Sequence, residues 1–123
     1  MSQWTHVCGC IRVDALRIME EENGIANIKE VLGKVVNFGD DSYETKIPCG
    51  SEGSLAYEVI ENPDKHSIAA YTIPIWGDLR DYDDVDEIEK WFYDSCKNLW
   101  VRDAVLNINV EYGINKNISY TQE

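Results

Sequence analysis

The chain has 123 residues, 44% of them hydrophobic, with 23 acidic and 11 basic residues and a formal net charge of −12. This length predicts one domain, residues 1–123, whose core needs neither disulfides nor metal. A surface this acidic repels phosphate backbones and anionic lipids, so direct nucleic-acid binding and a membrane-surface role are disfavoured, while basic protein partners are favoured.

Targeting signals and cysteine usage both favour the cytoplasm. Residues 1–6 show no basic segment leading into an apolar one, so we expect no signal peptide. No run approaches the 18 apolar residues of a transmembrane helix. The cysteines are too few and too unevenly spaced for a disulfide scaffold. We therefore expect a reduced, cytoplasmic protein.

The first half of the chain predicts a strand, a helix and a long loop. Residues 5–13 alternate between apolar and other side chains, which is typical of a strand. Asp14 is a suitable N-cap for a helical stretch that is interrupted at residues 22–24 and then continues as a one-sided helix to about residue 36. Residues 38–53 predict a loop long enough to suggest a functional role.

The second half predicts a hairpin, a second helix and a final strand. Residues 55–61 and 67–76 form the hairpin, although Pro74 is unusual within a central strand. Residues 77–83 predict a loop, and Asp84 with Glu87 predicts a capped helix. Residues 104–112 predict the last strand, in which four side chains face one way: Leu106, Ile108, Val110 and Tyr112. Residues 113–123 predict a polar tail, with one further short strand near Ile118.

This order of elements predicts an α+β fold. The predicted order is strand, helix, strand, strand, helix, strand. This order is typical of a ferredoxin-like βαββαβ sandwich, an antiparallel four-stranded sheet with two helices on one face. Many unrelated functions use this fold, so it does not specify a chemistry.

Three potential ligands lie close together on the first strand. His6, Cys8 and Cys10 occupy alternate positions, so their side chains point to one face of the sheet. With Cys49 or His66 as a fourth ligand they would suit zinc, and a cysteine nucleophile with a histidine base is a second form of chemistry. Strand cysteines are more often small buried hydrophobic residues, however, so we predict no metal.

The sequence shows no feature that identifies the protein as an enzyme. It contains no GxSxG, HExxH or P-loop motif. We therefore predict no catalytic residue and no cofactor, and favour a binding function.

The densest charge lies from residue 78 to residue 90, where seven acidic residues meet two basic ones. It fits a helix cap with a solvated face, or a patch that meets a basic partner. Interleaved aromatic residues favour the partner, because Trp and Tyr anchor protein interfaces. The predicted partner-binding residues are Trp76, Asp78, Asp81, Tyr82, Asp83, Asp84, Asp86 and Glu87.

The alternative function is small-molecule binding, for example sequestration of a nucleotide, either on the open face of the sheet or between protomers. The predicted ligand-binding residues are His6, Arg12, Tyr57 and Arg80. The net charge opposes an anionic ligand unless Arg12 and Arg80 converge. A homodimer is compatible with either function, since edge strands can pair between protomers.

The sequence resembles small proteins of bacteriophages and prophages. The resemblance rests on Gln-Trp-Thr-His-Val at residues 3–7, Ser-Glu-Gly-Ser-Leu at 51–55, and Ile-Trp-Gly-Asp-Leu-Arg-Asp-Tyr-Asp-Asp at 75–84. It extends to short acidic phage proteins that inhibit host defence, including anti-CRISPR proteins. It implies an inhibitor that occludes the basic nucleic-acid groove of a host defence protein, such as a CRISPR effector, in the cytoplasm of the host bacterium. The resemblance does not assign a role to any particular residue.

Overall fold

The computed structural model describes residues 3–14, 24–35, 46–64, 66–82 and 84–121. Its elements, in chain order, are β1 (Trp4–Asp14), α1 (Gly24–Leu32), β2 (Ala56–Tyr57), β3 (Ile60–Glu61), β4 (Ala69–Arg80), α2 (Val85–Lys97), β5 (Val101–Val110) and β6 (Asn115–Thr121). The fold is α+β, as predicted, with one six-stranded antiparallel sheet and two helices.

The sheet has the strand order β2–β4–β1–β5–β6, and β3 pairs with β4 on the same edge as β2. Alternation along β1 buries Val7, Ile11 and Val13 on one face of the sheet. The helices cover this face, and the Trp91 Nε1 of α2 donates a 2.9 Å hydrogen bond to the Leu32 carbonyl of α1. The opposite face, which we call the open face, carries the exposed and half-buried side chains of β1.

The core lies between the helices and the sheet. Its largest fully buried side chains are Phe92, Ile11, Ile28, Leu32, Leu55, Ile73, Ile75, Leu79, Ile88, Leu106, Ile108 and Val13. Aliphatic residues dominate, so burial of apolar surface supplies the main stabilisation.

Pro74 explains why the strand predicted at residues 55–61 is divided into two short strands, β2 and β3. Tyr57 pairs with Ile75 and Ile60 with Thr72, which places Pro74 opposite the gap between β2 and β3. The Glu58 N–H donates to the Pro74 carbonyl at 3.3 Å, but proline has no N–H to return the bond. The ladder is therefore interrupted there, and the predicted count of four strands is wrong.

The sixth strand comes from the residues predicted as a polar tail. β6 pairs with β5 from Asn115 to Thr121, which extends the short strand expected near Ile118. The predicted loop at residues 77–83 is also wrong in its first part, because β4 continues to Arg80 and buries Leu79 opposite Thr5.

The predicted cap of the second helix is confirmed. The Glu87 N–H donates a 3.1 Å hydrogen bond to Asp84 Oδ1, as a capping residue requires. The helical stretch predicted directly after Asp14 and residues 38–45 of the predicted loop lie outside the described residues. None of the helices described is long and apolar enough to cross a membrane.

Candidate functional site

Several chain segments meet at one end of the sheet. β1 begins there opposite the last residue of β4, since Trp4 pairs with Arg80. β5 also ends there, since Thr5 pairs with Val110, and both β6 and α2 begin nearby. Antiparallel pairing therefore brings together side chains that are far apart in the sequence.

Carboxylates are concentrated at this end. We define the acidic end as seven carboxylate side chains: Glu52, Asp78, Asp81, Asp84, Asp86, Glu87 and Glu111. All are exposed except Glu111, which is half-buried. Glu52 and Glu111 were not in the predicted patch, because only the strand register places them beside the other five.

Two cationic side chains lie among these acids and leave an excess of negative charge. Arg80 Nη1 lies 2.7 Å from Glu52 Oε1, and Arg80 Nε lies 3.7 Å from Asp81 Oδ2. His6 is the second, when its imidazole is protonated. At the border of the acidic end, Lys116 Nζ pairs with Glu89 Oε2 at 2.7 Å. Since carboxylates outnumber the cations, the acidic end presents a negative potential to solvent.

His6 is held between two carboxylates. Its Nδ1 lies 2.5 Å from Asp78 Oδ1, and its Nε2 lies 2.9 Å from Glu111 Oε2. The hydrogen bond to Asp78, and then the one to Glu111, raises the pKa of His6. The hydrogen bond from His6 lowers the pKa of Glu111. Because both ring nitrogens are engaged, the imidazole serves as a cationic bridge between strands rather than as a base or a metal ligand.

This bridge predicts a dependence of stability on pH. A raised His6 pKa stabilises the fold fully below its ordinary value of 6.5, and that stability is lost as pH rises through the raised pKa. The lowered Glu111 pKa acts in the opposite sense, since its contribution is present above 4.5 and is lost in acid. Melting temperatures measured from pH 6 to 9 should fall, and the His6→Gln variant should flatten that slope. An unchanged slope in His6→Gln would contradict the bridge.

The turn between β5 and β6 projects an aromatic side chain. The Gly113 N–H donates to the Val110 carbonyl at 2.9 Å, which closes a four-residue turn with Tyr112 at its third position. Tyr112 has φ +61 and is 86% exposed, and Ile114 is 60% exposed. They are the two most exposed large hydrophobic side chains among the described residues. We call residues 111–114 the hairpin tip.

The prediction that Tyr112 belongs to the last strand, on the same face as Leu106 and Val110, is wrong. The strand ends at Val110, so the alternation that points Leu106, Ile108 and Val110 inward stops before Tyr112. A positive φ at the third position of a turn normally selects Gly or Asn. The Tyr-Gly dipeptide after a strand is a weak turn signal, and it could have located the hairpin.

Five of the predicted partner-binding residues belong to the acidic end, but they lie on different elements: Asp78, Asp81, Asp84, Asp86 and Glu87. Trp76 and Asp78 lie on the open face, whereas Asp86 and Glu87 lie exposed on the first turn of α2. Asp81 lies in the turn after β4 with φ +52, and Asp84 caps α2. Asp83 lies outside the described residues.

Tyr82 is not a surface anchor. It is half-buried, and its hydroxyl is buried without a hydrogen-bonding partner among the described residues. Burial, followed by the charges of Glu87 and Asp84, raises its pKa. The Thr5 hydroxyl donates to the Tyr82 carbonyl, which holds this segment against β1.

The alternative ligand-binding residues do not converge. Tyr57 lies on the helix side of the sheet and donates from its hydroxyl to the Gly33 carbonyl at 2.6 Å. Arg12 binds both oxygens of Asp103 at 2.6 Å, while Arg80 pairs at the acidic end. Arg12 and Arg80 are eight positions apart in the β1–β4 register, about 26 Å at the usual rise per residue. The condition for an anionic ligand is therefore not met by these residues.

Among the described residues, the cysteines lie in no metal-binding arrangement. His6, Cys8 and Cys10 share the open face, as predicted, but His6 is engaged by Asp78 and Glu111. No group of three or more His, Cys, Asp or Glu residues in the described segments could hold a metal ion. Burial raises the pKa of the Cys10 thiol, which lowers its thiolate fraction.

The comparisons with known proteins gave no match. Neither a family model, nor a curated protein, nor a solved structure was found to match this chain. The acidic end and the hairpin tip are therefore interpreted from their own chemistry.

Proposed function

We propose that the protein is a non-enzymatic binding protein that attaches to a basic protein surface through the acidic end and the hairpin tip. The acids supply long-range attraction, and the hairpin tip supplies apolar contact area. The proposed function is the one expected from the composition, but the aromatic residue proposed to contact the partner is Tyr112 instead of Tyr82.

The conformation of Tyr112 carries the proposal. A non-glycine residue in the left-handed region costs of order 1–3 kcal/mol and persists only where surrounding structure imposes it. Here the cost falls on a tyrosine whose side chain is 86% exposed. An exposed aromatic residue held in a strained turn is typical of a contact residue, because Tyr buries a large area on binding and retains a polar hydroxyl.

The surrounding charge indicates the chemistry of the partner. Glu111 is part of the hairpin tip. In β6, which follows the tip, the hydrogen bond to Glu89 of α2 raises the pKa of Lys116, and the charge of Asp86 adds to the rise. The hairpin tip and the first turn of α2 therefore belong to the same end of the molecule. A negative field around an apolar anchor favours a surface rich in Lys and Arg, and it accelerates association at low salt.

The resemblance to phage proteins suggests which basic surface is bound. A nucleic-acid-binding groove of a host defence protein has the required charge, and occupying it would exclude the nucleic acid. We therefore propose that the protein acts as an inhibitor by competing with nucleic acid for that groove. Nucleic acid added in excess should release the captured partner.

The strand order supports a more specific description of the fold. We infer a ferredoxin-like sheet in which β2 and β3 together take the place of one strand and β6 is added at an edge. β1 then lies between β4 and β5, and each helix connects two parallel strands that have a third strand between them.

Capture from a bacterial lysate tests the function. Asp86→Lys/Glu87→Lys reverses two acids at the acidic end, and the matched control Glu58→Lys/Glu61→Lys reverses two exposed acids on the β2–β3 edge. Both double variants change the net charge equally. We expect the first to reduce capture of a basic protein at least tenfold and the second to leave it within twofold. Equal losses would indicate general charge attraction and would contradict a defined acidic end.

A further inference from the structure

β6 is an edge strand, and no other described strand pairs with its outer side. The hydrogen bonds of β5 show which backbone groups of β6 point outward. The Val110 N–H donates to the Ile114 carbonyl at 2.8 Å, and the Glu111 N–H donates to the Trp4 carbonyl of β1 at 2.9 Å. Because this direction alternates along an antiparallel pair, every second residue of β6 presents its N–H and C=O groups to the outside. These residues are Asn115, Asn117, Ser119 and Thr121.

The two edges of the sheet differ in how well they are protected. Edge strands normally avoid pairing with other chains by being short, interrupted or charged. The opposite edge has these features, since β2 and β3 are short and separate, and Glu58 and Glu61 are exposed along them. β6 has none of them, because it pairs with β5 in unbroken register and Lys116 is its one charged residue. Of the two edges, β6 is therefore the one suited to accept another strand.

We propose that β6 pairs antiparallel with β6 of a second copy, so that two sheets join edge to edge in a twofold dimer. An axis normal to the sheet at Ile118 sets the register. It places Asn117 opposite Ser119 of the other copy. The outermost residues, Asn115 and Thr121, face each other in the same way. All the outward groups of β6 then find partners, because they are spaced symmetrically about Ile118.

The side chains on the helix side of β6 are compatible with this register. Ile118 is buried over the core, and Ile118 of the other copy would lie directly opposite, with the two Cα atoms about 4.5 Å apart. Lys116 would face Tyr120 of the other copy, so like charges do not oppose each other across the axis. The joined edge therefore has an apolar centre and no charge conflict.

The position of α2 provides a second contact that only another copy of the chain supplies. α2 packs over both β5 and β6, and it begins at the same end of the sheet as β6. Its first half approaches β6 through Glu89 and Asp86, since the hydrogen bond to Glu89, and then the charge of Asp86, raises the pKa of Lys116. Lys97 is exposed about three helical turns after Asp86, so it lies on the same side of α2.

The twofold axis reverses α2 together with β6, so the acidic first half of one α2 lies alongside Lys97 of the other. Asp86, Glu89 and Lys116 are two carboxylates and one ammonium, which leaves a net charge of −1. Lys97 forms no ion pair with any described residue and supplies the opposite charge. At the usual strand spacing, helices centred between β5 and β6 would be about 10 Å apart across the axis, which is a contact distance for helices. An unrelated extended peptide would fill the strand edge but not this helix contact.

The proposed dimer does not depend on the proposed function. Strand pairing ends at Asn115, so the hairpin tip lies beyond the paired residues and stays available in each copy. The variants that test the dimer alter Ser119, Asn117 or Lys97, none of which belongs to the acidic end or the hairpin tip. Loss of the dimer in these variants should therefore leave partner capture in place, and loss of partner capture would leave the dimer.

Sedimentation equilibrium of the full chain across protein concentration tests the dimer. We expect the mass to rise from 14.1 kDa toward twice that value. Ser119→Pro removes one outward N–H and leaves the ladder to β5 intact, so the dissociation constant should increase at least tenfold without a loss of folding. Ser119→Ala keeps the N–H and should dimerise like the unaltered chain. A mass of 14.1 kDa at every concentration would overturn the proposal, and so would normal dimerisation of folded Ser119→Pro.

Lys97→Glu tests the helix contact in a chain whose β6 is unaltered. The new carboxylate would face Asp86 and Glu89 of the other copy, so we expect the dissociation constant to increase at least tenfold. The matched control Lys90→Glu makes the same change of charge on α2, but it lies in the groove between α2 and α1, away from β6. It should leave the dissociation constant within twofold. Equal increases in the two variants would overturn the proposed arrangement.

Disulfide formation between two variants tests the register. Asn117→Cys and Ser119→Cys would meet in a hydrogen-bonded pair with Cα atoms about 5.5 Å apart, which a disulfide can span. Two copies of the same variant would instead place their cysteines on a diagonal, about 7–8 Å apart. We expect the mixed disulfide in an equimolar mixture, identified by mass spectrometry of the linked peptides. Disulfides confined to like variants, or the absence of any disulfide at these positions, would overturn the register.

Discussion

Tyr112→Asn should weaken binding of the captured basic protein by about 30-fold or more while making the protein more stable. The binding loss corresponds to about 2 kcal/mol, the threshold for an aromatic interface residue that carries much of the affinity. The gain in stability, about 0.5–1 kcal/mol, arises because Asn accepts the left-handed conformation that Tyr112 adopts at φ +61. Weaker binding together with a higher free energy of unfolding would identify Tyr112 as a contact residue whose strained backbone conformation destabilises the free protein.

Tyr112→Phe is the control for this experiment. It keeps the ring and the backbone strain, so it should bind within a few-fold of the unaltered chain and be no more stable. Isothermal titration with the captured protein gives the affinity, and urea denaturation gives the stability. If Tyr112→Asn bound as tightly as the unaltered chain, the hairpin tip would not be the anchor.

Gly9→Ala should cause a large loss of stability, about 3 kcal/mol or more. A Cβ at Gly9 would lie 2.2 Å from the Val105 carbonyl oxygen and 2.8 Å from the Leu106 Cα. These are backbone atoms of the paired strand β5, so they cannot move without breaking the β1–β5 ladder. For a domain with a typical stability of 5–15 kcal/mol, such a loss leaves little reserve.

Gly113→Ala provides the matched comparison. Its added Cβ would meet the Val110 side chain at 3.3 Å, in a turn where a small adjustment is sufficient. We expect a loss below about 1 kcal/mol, measured by urea denaturation of both variants. Equal losses would contradict the close approach of β1 and β5 at Gly9.

The local parts of the fold could be predicted from the sequence because their signals are local. Alternation along residues 5–13 predicted β1, and Asp84 with Glu87 predicted the start of α2. Pro74 was recognised as unusual, but the split it causes between β2 and β3 depends on which strand lies opposite. Such pairing is set by the whole sheet rather than by neighbours in the sequence.

The candidate site was less predictable because it depends on strand register. Composition indicated a negative patch near α2, but Glu52 and Glu111 join it only when β1 and β4 pair and β5 ends beside them. Tyr112 was predicted to lie in the strand because its position continues the alternation of β5, but the turn ends that strand at Val110. Tyr82 was expected to be exposed, yet it lies between β1 and the start of α2, where neighbouring elements cover it.

Zero-length carbodiimide cross-linking of the captured complex tests the central claim most directly, because it joins only a carboxylate and an amine already in contact. The proposed function predicts that partner lysines become linked to Asp81, Asp86, Glu87 or Glu111 of the acidic end. It also predicts that excess nucleic acid suppresses these links. Links concentrated on Glu58 and Glu61 of the β2–β3 edge, with the acidic end unmodified, would contradict it.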